Sequence, residues 1–95
     1  TSPAKGDLQG SVKSSGQVIL IKDMQFSPAE LRIKANSSVT WKNEDSAVHL
    51  VYSLNLLKSP SMNQGEEFSF TFTTPGNYDY ICGIHQFMRG KIIVE

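Results

Sequence analysis

Residues 68–82 have the sequence FSFTFTTPGNYDYIC, and this stretch decides the class of fold. Phenylalanines alternate with small polar residues up to Thr73, and two tyrosines then flank Asp79. Alternation with a period of two places one kind of side chain on each face of a β-strand. Between the two patterns, Pro75 and Gly76 supply the backbone angles of a tight turn. The stretch therefore predicts two strands separated by a turn, with aromatic side chains directed into a core.

The same signals recur on both sides of this stretch. Segments rich in β-branched or aromatic residues are separated by turn formers such as Ser27-Pro28 and Ala35-Asn36. The further predicted strands are Gln17–Lys22, Leu31–Lys34, Val39–Lys42, Val48–Tyr52 and Lys91–Val94. No window of the sequence has sustained helical periodicity. The pattern indicates an all-β sandwich or small barrel, and we expect about seven to eight strands.

Size and charge restrict the classes of function. The chain has 95 residues, and we expect residues 1–95 to form a single domain. Residues 1–15 are predicted to be a loose N-terminal segment or an edge strand.

Nine basic and nine acidic residues give no net charge, whereas nucleic-acid binders carry a basic excess. The longest aliphatic run, Val18–Ile21, is too short to cross a bilayer. We therefore expect no nucleic acid as a partner and no membrane span in this chain.

Four sulfur and nitrogen donors stand in a pattern typical of a metal site. The chain has one cysteine and two histidines, and Cys82, His85 and Met88 lie three residues apart in one loop between predicted strands. His49 lies on a separate strand, which a sandwich can bring to the same end. Thiolate and thioether ligands favour Cu(I), and imidazole suits both oxidation states. The joint occurrence of these residues predicts one redox-active copper ion held by His49, Cys82, His85 and Met88.

Each of these residues also has a plainer interpretation. A lone histidine on an apolar strand is more often a hydrogen-bonded core residue, and Met88 alone would be a gap-filling core residue. A hydrolase with Cys82 as nucleophile and His49 or His85 as base needs an oxyanion site and an orienting third residue, for which the sequence has no evident signal. A zinc site is chemically possible, and it would be colourless and redox-silent. A visible spectrum separates zinc from copper.

The stretch from Phe26 to Glu95 resembles the cupredoxins, the type 1 blue-copper proteins, and within them the amicyanins and plastocyanins. The resemblance is carried by Phe26-Ser27-Pro28, Ser38-Val39-Thr40-Trp41, Phe70-Thr71-Phe72-Thr73, Tyr78-Asp79-Tyr80 and the loop Cys82–Met88. The short spacing from His85 to Met88 is similar to that of the amicyanins. The resemblance implies a Greek-key β-sandwich with one type 1 copper ion. It also implies an electron carrier that cycles between Cu(I) and Cu(II) and is not an enzyme.

The resemblance also implies a role for each ligand. Cys82 is the thiolate whose bond to Cu(II) gives an intense colour. His49 and His85 are the equatorial imidazoles, and Met88 is the weak axial ligand. This division is the electron-transfer arrangement of a trigonal plane with one long axial bond.

A docking surface for redox partners is implied at the same end of the molecule. His85 is expected near the surface, where electrons enter and leave. Ile84 and Phe87, with Met62 as a further member, are expected to form an apolar patch around His85. Such a patch, rimmed by polar residues, is what a transient redox partner requires.

The sequence departs from the cupredoxin pattern beside the ligands. Most cupredoxins have Asn after the first histidine and Ser or Thr after the cysteine, and those side chains link the two ligand segments. Here the two positions are Leu50 and Gly83. Ile84 stands where the amicyanins have a proline, and it keeps a backbone N–H that proline lacks. We predict that this N–H donates to the Cys82 sulfur and favours Cu(I).

The ligands by themselves leave related functions open. A copper-trafficking or copper-storage protein can use the same four residues, and so can a cupredoxin domain of a larger multicopper enzyme. The start at Thr1, with no signal-peptide pattern, leads us to expect a processed chain. The resemblance implies a monomer in the periplasm or another extracytoplasmic compartment.

Overall fold

A computed structural model of the chain describes residues 16–53 and 56–95, so the predicted N-terminal segment 1–15 lies outside the described residues. The strands are β1 (Gln17–Lys22), β2 (Gln25–Ser27), β3 (Glu30–Ile33), β4 (Ser37–Asn43), β5 (Val51–Ser53), β6 (Leu57–Lys58), β7 (Glu67–Phe72), β8 (Gly76–Cys82) and β9 (Arg89–Val94). The all-β prediction is confirmed. The described part has nine strands where about seven to eight were expected, because β2 and β6 are too short to show a period-two pattern. Within the described residues, no helix has the length and apolar character that a bilayer crossing requires.

Two sheets face each other. One has the strand order β3-β9-β8-β5-β6 and the other has the order β2-β1-β4-β7. The two strands of the stretch 68–82 belong to different sheets, since β7 pairs with β4 and β8 pairs with β9 and β5. The turn around Pro75 therefore crosses from one sheet to the other. The rings of Phe72 and Tyr78 stay 5.4 Å apart across this turn, which keeps both aromatic patterns on the same core.

The core between the sheets is centred on Trp41 of β4, which is fully buried. Its ring centroid lies 6.1 Å from that of Phe68 and 6.4 Å from that of Phe72, both on β7. The Tyr80 ring on β8 meets it edge-on at 5.4 Å. Aromatic pairs at these distances add to the free energy gained by burial. The contacts between Trp41 and Tyr80 thus join the sheets directly beneath Cys82, two residues further along β8.

Strand ends bring the predicted ligands to one end of the sandwich. β8 ends at Cys82 and β9 begins at Arg89, so the loop between them joins two neighbouring antiparallel strands. β5 pairs with β8 at Val51 and Cys82. The predicted strand Val48–Tyr52 is shorter than expected, because His49 leaves the sheet and pairs with Met62 in an isolated bridge. His49 is thereby held beside the end of β8.

Candidate metal centre

Three of the four predicted ligands converge on one point. His49, Cys82 and His85 each offer a donor atom, and these atoms all lie within 4.8 Å of one another. Cys82 Sγ is 3.6 Å from His49 Nδ1 and 3.7 Å from His85 Nδ1. The two imidazole rings are 5.0 Å apart and inclined at 63°. This spacing leaves room for one metal ion among a sulfur and two nitrogens.

Met88, the fourth predicted ligand, closes the loop that carries Cys82 and His85. Its backbone N–H donates to the His85 carbonyl at 2.9 Å, and its carbonyl accepts from the Cys82 N–H at 3.2 Å. Its side chain is buried. The two backbone hydrogen bonds hold the backbone of Met88 next to both loop ligands.

The structure adds Asp45, which the sequence analysis did not identify. Its Oδ2 atom lies 2.9 Å from His49 Nε2. The same carboxylate accepts the backbone N–H groups of Asp23, at 2.8 Å, and Met24, at 3.0 Å. Asp45 stands in a loop, four residues before His49 and more than twenty after Met24, so no periodic pattern marks it.

This carboxylate determines which nitrogen of His49 is available to a metal. Burial raises the pKa of Asp45, but the hydrogen bonds from the Met24 amide, the His49 ring and the Asp23 amide outweigh burial and hold the pKa below its ordinary value. An ionised carboxylate can only accept, so the proton of the His49 ring resides on Nε2. The lone pair of Nδ1 then faces the Cys82 sulfur, as a metal ligand requires.

The hydrogen bond to the cysteine sulfur comes from a different residue than predicted. The backbone N–H of His85 donates to Cys82 Sγ at 3.4 Å. Ile84, the predicted donor, makes no such bond, so that prediction was wrong. The loop is closed by the bond from the Met88 N–H to the His85 carbonyl. The side chain of Ile84 is instead 49% exposed.

The centre is buried on one side and approaches solvent on the other. His49 and Cys82 have no exposed surface, whereas His85 is partly exposed. Phe87 is 70% exposed, and its ring lies 6.2 Å from that of His85. Met62 is 1% exposed, because its backbone pairs with His49 and its side chain belongs to the core. Met62 is therefore not a member of the surface patch, contrary to the prediction.

The donor set fits copper in both oxidation states. A thiolate and a nearby thioether are soft donors, and two neutral imidazoles suit Cu(I) and Cu(II) alike. The donors come from the ends of paired strands and from a loop that is closed by backbone hydrogen bonds. Ligands held in this way change position little when the charge on a metal changes.

Known proteins resemble the chain over most of its length. The family model described as a cupredoxin-like domain matches residues 5–94. The chain belongs to the cupredoxins. The chain is 34% identical to amicyanin from Paracoccus denitrificans, over 100% of the chain and 78% of that protein. It is 39% identical to amicyanin-alpha from Methylorubrum extorquens, over 81% of the chain and 70% of that protein.

Solved structures agree with the sequence relatives of this cupredoxin. A reduced Cu(I) form of an amicyanin variant at pH 4 aligns with a TM-score of 0.81 and 39% identity, covering 83% of this chain and 81% of that one. An oxidised amicyanin variant aligns with a TM-score of 0.82 and 38% identity, covering 88% and 86%. With its converging thiolate and imidazoles, this cupredoxin is a type 1 copper protein of electron transfer and not an enzyme.

Proposed function

We propose that this cupredoxin carries single electrons between protein partners with one copper ion, which His49, Cys82, His85 and Met88 would hold. Bound copper supplies reversible one-electron transfer between Cu(I) and Cu(II). The observation that carries the proposal is the convergence of one buried sulfur and two imidazole nitrogens within 4.8 Å. A strand, a bridge and a closed loop from separate parts of the chain all contribute to this convergence.

The protein holds these side chains in place from both sides. Cys82 is the last residue of β8, which lies between β5 and β9 in the sheet. His49 is fixed by the Asp45 carboxylate at Nε2 and by backbone pairing with Met62. A site preorganised by its own hydrogen bonds has little to rearrange when an electron arrives or leaves, and this favours fast exchange. The same rigidity is unfavourable for a protein that must hand over its metal.

Electrons enter and leave at the His85 end in this proposal. His85 is the predicted imidazole ligand that reaches the surface, and His49 is fully buried. Ile84 and Phe87 are exposed beside it, and Gln86 and Arg89 give the patch a polar rim. A small apolar patch of this kind suits a transient complex that forms and separates quickly.

We further propose that residues 1–95 act as one domain, as a monomer, in an extracytoplasmic compartment such as the periplasm. The extent of the family match, residues 5–94, supports the single domain. The resemblance to the amicyanins supports the location, and fractionation of cells that express the full-length protein tests it. Equilibrium sedimentation of the copper-loaded protein tests the monomer.

The central experiment is spectroscopic. The oxidised, copper-loaded protein is expected to show an intense visible band from the bond between the Cys82 sulfur and Cu(II). The Cys82→Ser variant should lose the band, and zinc-loaded protein should be colourless. A copper-loaded protein of native fold without the band would overturn the assignment of the ligands.

A second measurement separates an electron carrier from a copper-trafficking or storage protein with the same ligands. Protein-film voltammetry should give a reversible one-electron wave, and a chelator should remove the copper slowly. Rapid copper transfer to the chelator together with an irreversible wave would favour trafficking and contradict the proposal.

A further inference from the structure

Two residues that directly follow ligands, Leu50 and Gly83, lie against each other. The Gly83 N–H donates to the Leu50 carbonyl at 3.3 Å, one step beyond the pair Val51 and Cys82 of the β5–β8 ladder. A Cβ atom placed on Gly83 would lie closer than 3.0 Å to Cδ1 of Leu50, 3.2 Å from its Cγ and 3.6 Å from its Cδ2. The isopropyl group of Leu50 thus fills the space that a side chain at position 83 would occupy.

The backbone at Gly83 does not itself call for glycine. Among the described residues, the glycines with a positive φ are Gly16, Gly65 and Gly76, and Gly83 is not one of them. An alanine at position 83 would therefore adopt the same backbone without strain. A side chain there would instead meet Leu50, whose side chain would have to shift to make room.

The contact lies at the end of a short ladder between the two ligand segments. The ladder between β5 and β8 consists of two residue pairs, Val51 with Cys82 and Tyr52 with Ile81. Leu50 is half-buried, and its side chain packs on Gly83, which is exposed and donates its N–H to the Leu50 carbonyl. The packing therefore adds a side-chain contact to the short ladder between the two ligand segments.

We propose that Leu50 and Gly83 form a positioning pair that sets the spacing between the His49 and Cys82 segments before a metal ion enters. Neither residue contacts the metal in this proposal, which rests on the proposed function. The pair joins the two segments by a side chain packed on a bare backbone. Removing the Leu50 side chain loosens the spacing, and adding one at Gly83 forces the segments or the Leu50 rotamer to shift.

A double-substitution cycle tests the pair. Gly83→Ala and Leu50→Ala are prepared singly and together, and the rate of copper loss to a chelator is measured for each. Gly83→Ala alone is expected to lose copper about tenfold faster than the unaltered protein. The double variant should lose copper more slowly than Gly83→Ala alone, because truncating Leu50 removes the overlap. Equal acceleration by Gly83→Ala with and without the Leu50 side chain would overturn the proposal.

Two further readouts separate positioning from general destabilisation. The visible band of the oxidised protein should change in position or relative intensity in Gly83→Ala and return toward that of the unaltered protein in the double variant. Leu20→Ala, which truncates another partly exposed leucine on β1, should leave both the band and the copper-loss rate unchanged. A change of the same size in Leu20→Ala would contradict a positioning role.

The copper-free protein supplies the third measurement. Denaturant unfolding of the same variants tests the packing without metal, and the destabilisation by Gly83→Ala should be smaller when Leu50 is already alanine. If Gly83→Ala does not fold, Leu50→Val serves as a second variant, because it shortens the side chain by one carbon. Leu50→Val should still speed copper loss. An unchanged rate of copper loss in Leu50→Val would overturn the proposal. Failure of the proposed function would appear separately, as an unaltered protein that binds copper without a visible band.

Discussion

The carboxylate of Asp45 binds the ring of His49 and the turn between β1 and β2 at the same time. Oδ2 lies 2.9 Å from His49 Nε2 and accepts the Met24 N–H, while Oδ1 accepts the Asp23 N–H. Asp23 and Met24 both have positive φ values, which directs their amides toward the carboxylate. The orientation of a buried ligand is therefore coupled to a surface turn in the other sheet.

Replacing this carboxylate should raise the reduction potential. In Asp45→Asn, the imidazole of His49 loses a charged acceptor and becomes a poorer electron donor, which disfavours Cu(II). We expect an increase of about 50 mV, equivalent to roughly 1 kcal/mol for one electron. Protein-film voltammetry of the copper-loaded protein measures the change.

Asp23→Asn is the matched control for Asp45→Asn. It removes the same charge from a neighbouring exposed position and keeps the backbone donor to Asp45. The potential should change much less than in Asp45→Asn, because screening by water weakens the effect of an exposed charge. Equal shifts of the reduction potential in the two variants would show that the loss of a negative charge causes the change, and not the loss of the contact between Asp45 and the His49 ring.

The assignment of Met88 as axial ligand predicts the effect of a harder donor. In Met88→Gln, an amide oxygen replaces the thioether at the end of the ligand loop. Oxygen stabilises Cu(II) relative to Cu(I), so the reduction potential should fall. An unchanged potential and spectrum, in a protein that still binds copper, would mean that the side chain at position 88 does not reach the metal.

The exposed ring of Phe87 should matter for partner docking and not for the copper site. Phe87→Ala is expected to slow the second-order electron-transfer rate with a protein partner by about tenfold, since loss of an aromatic anchor costs roughly 1–2 kcal/mol. The reduction potential should stay the same. Val18→Ala is the control, because Val18 is 51% exposed on β1, away from His85. Equal slowing in both variants would contradict docking at Phe87.

The burial of Tyr80 predicts a loss of stability at alkaline pH. Burial raises the pKa of Tyr80 to about 12, whereas a tyrosine hydroxyl in an unfolded chain has a pKa of about 10. Between these values the unfolded state has lost a proton that the folded state retains, so the free energy of unfolding falls as pH rises. Each unit by which folding raises the pKa adds about 1.4 kcal/mol to the free energy of unfolding. This contribution of Tyr80 is fully present below about pH 10 and is lost as the pH rises further.

Denaturant unfolding of the copper-free protein from about pH 9 to about pH 12 measures this dependence. The Tyr80→Phe variant should show a shallower decline than the unaltered protein. Tyr52→Phe removes a half-buried hydroxyl from β5 and should leave the decline as it is. An equal decline in Tyr80→Phe and the unaltered protein would contradict a shifted pKa of Tyr80.

Local sequence patterns were sufficient to predict strands and turns, because these depend mainly on residues close together in the chain. The period of two in residues 68–82 predicted both strands, and Asn36 adopts the left-handed backbone expected between two strands, with a φ of 73°. The same patterns did not reveal that the turn at Pro75 leads from one sheet to the other. That depends on which strands β7 and β8 pair with, and their partners lie far away in the sequence.

Within the centre, the chemistry could be predicted from the residue types alone. One cysteine, two histidines and a methionine at short spacing define a soft, redox-compatible donor set, because the identity of a donor atom belongs to the residue. The folded arrangement was needed to show that Asp45 holds His49, that the amide of His85 points to the sulfur, that Met62 is buried and that Leu50 fills the space beside Gly83. These contacts depend on how the two sheets and their end loops pack. Packing brings together residues that lie far apart in the chain, and such contacts produce no periodic pattern in the sequence.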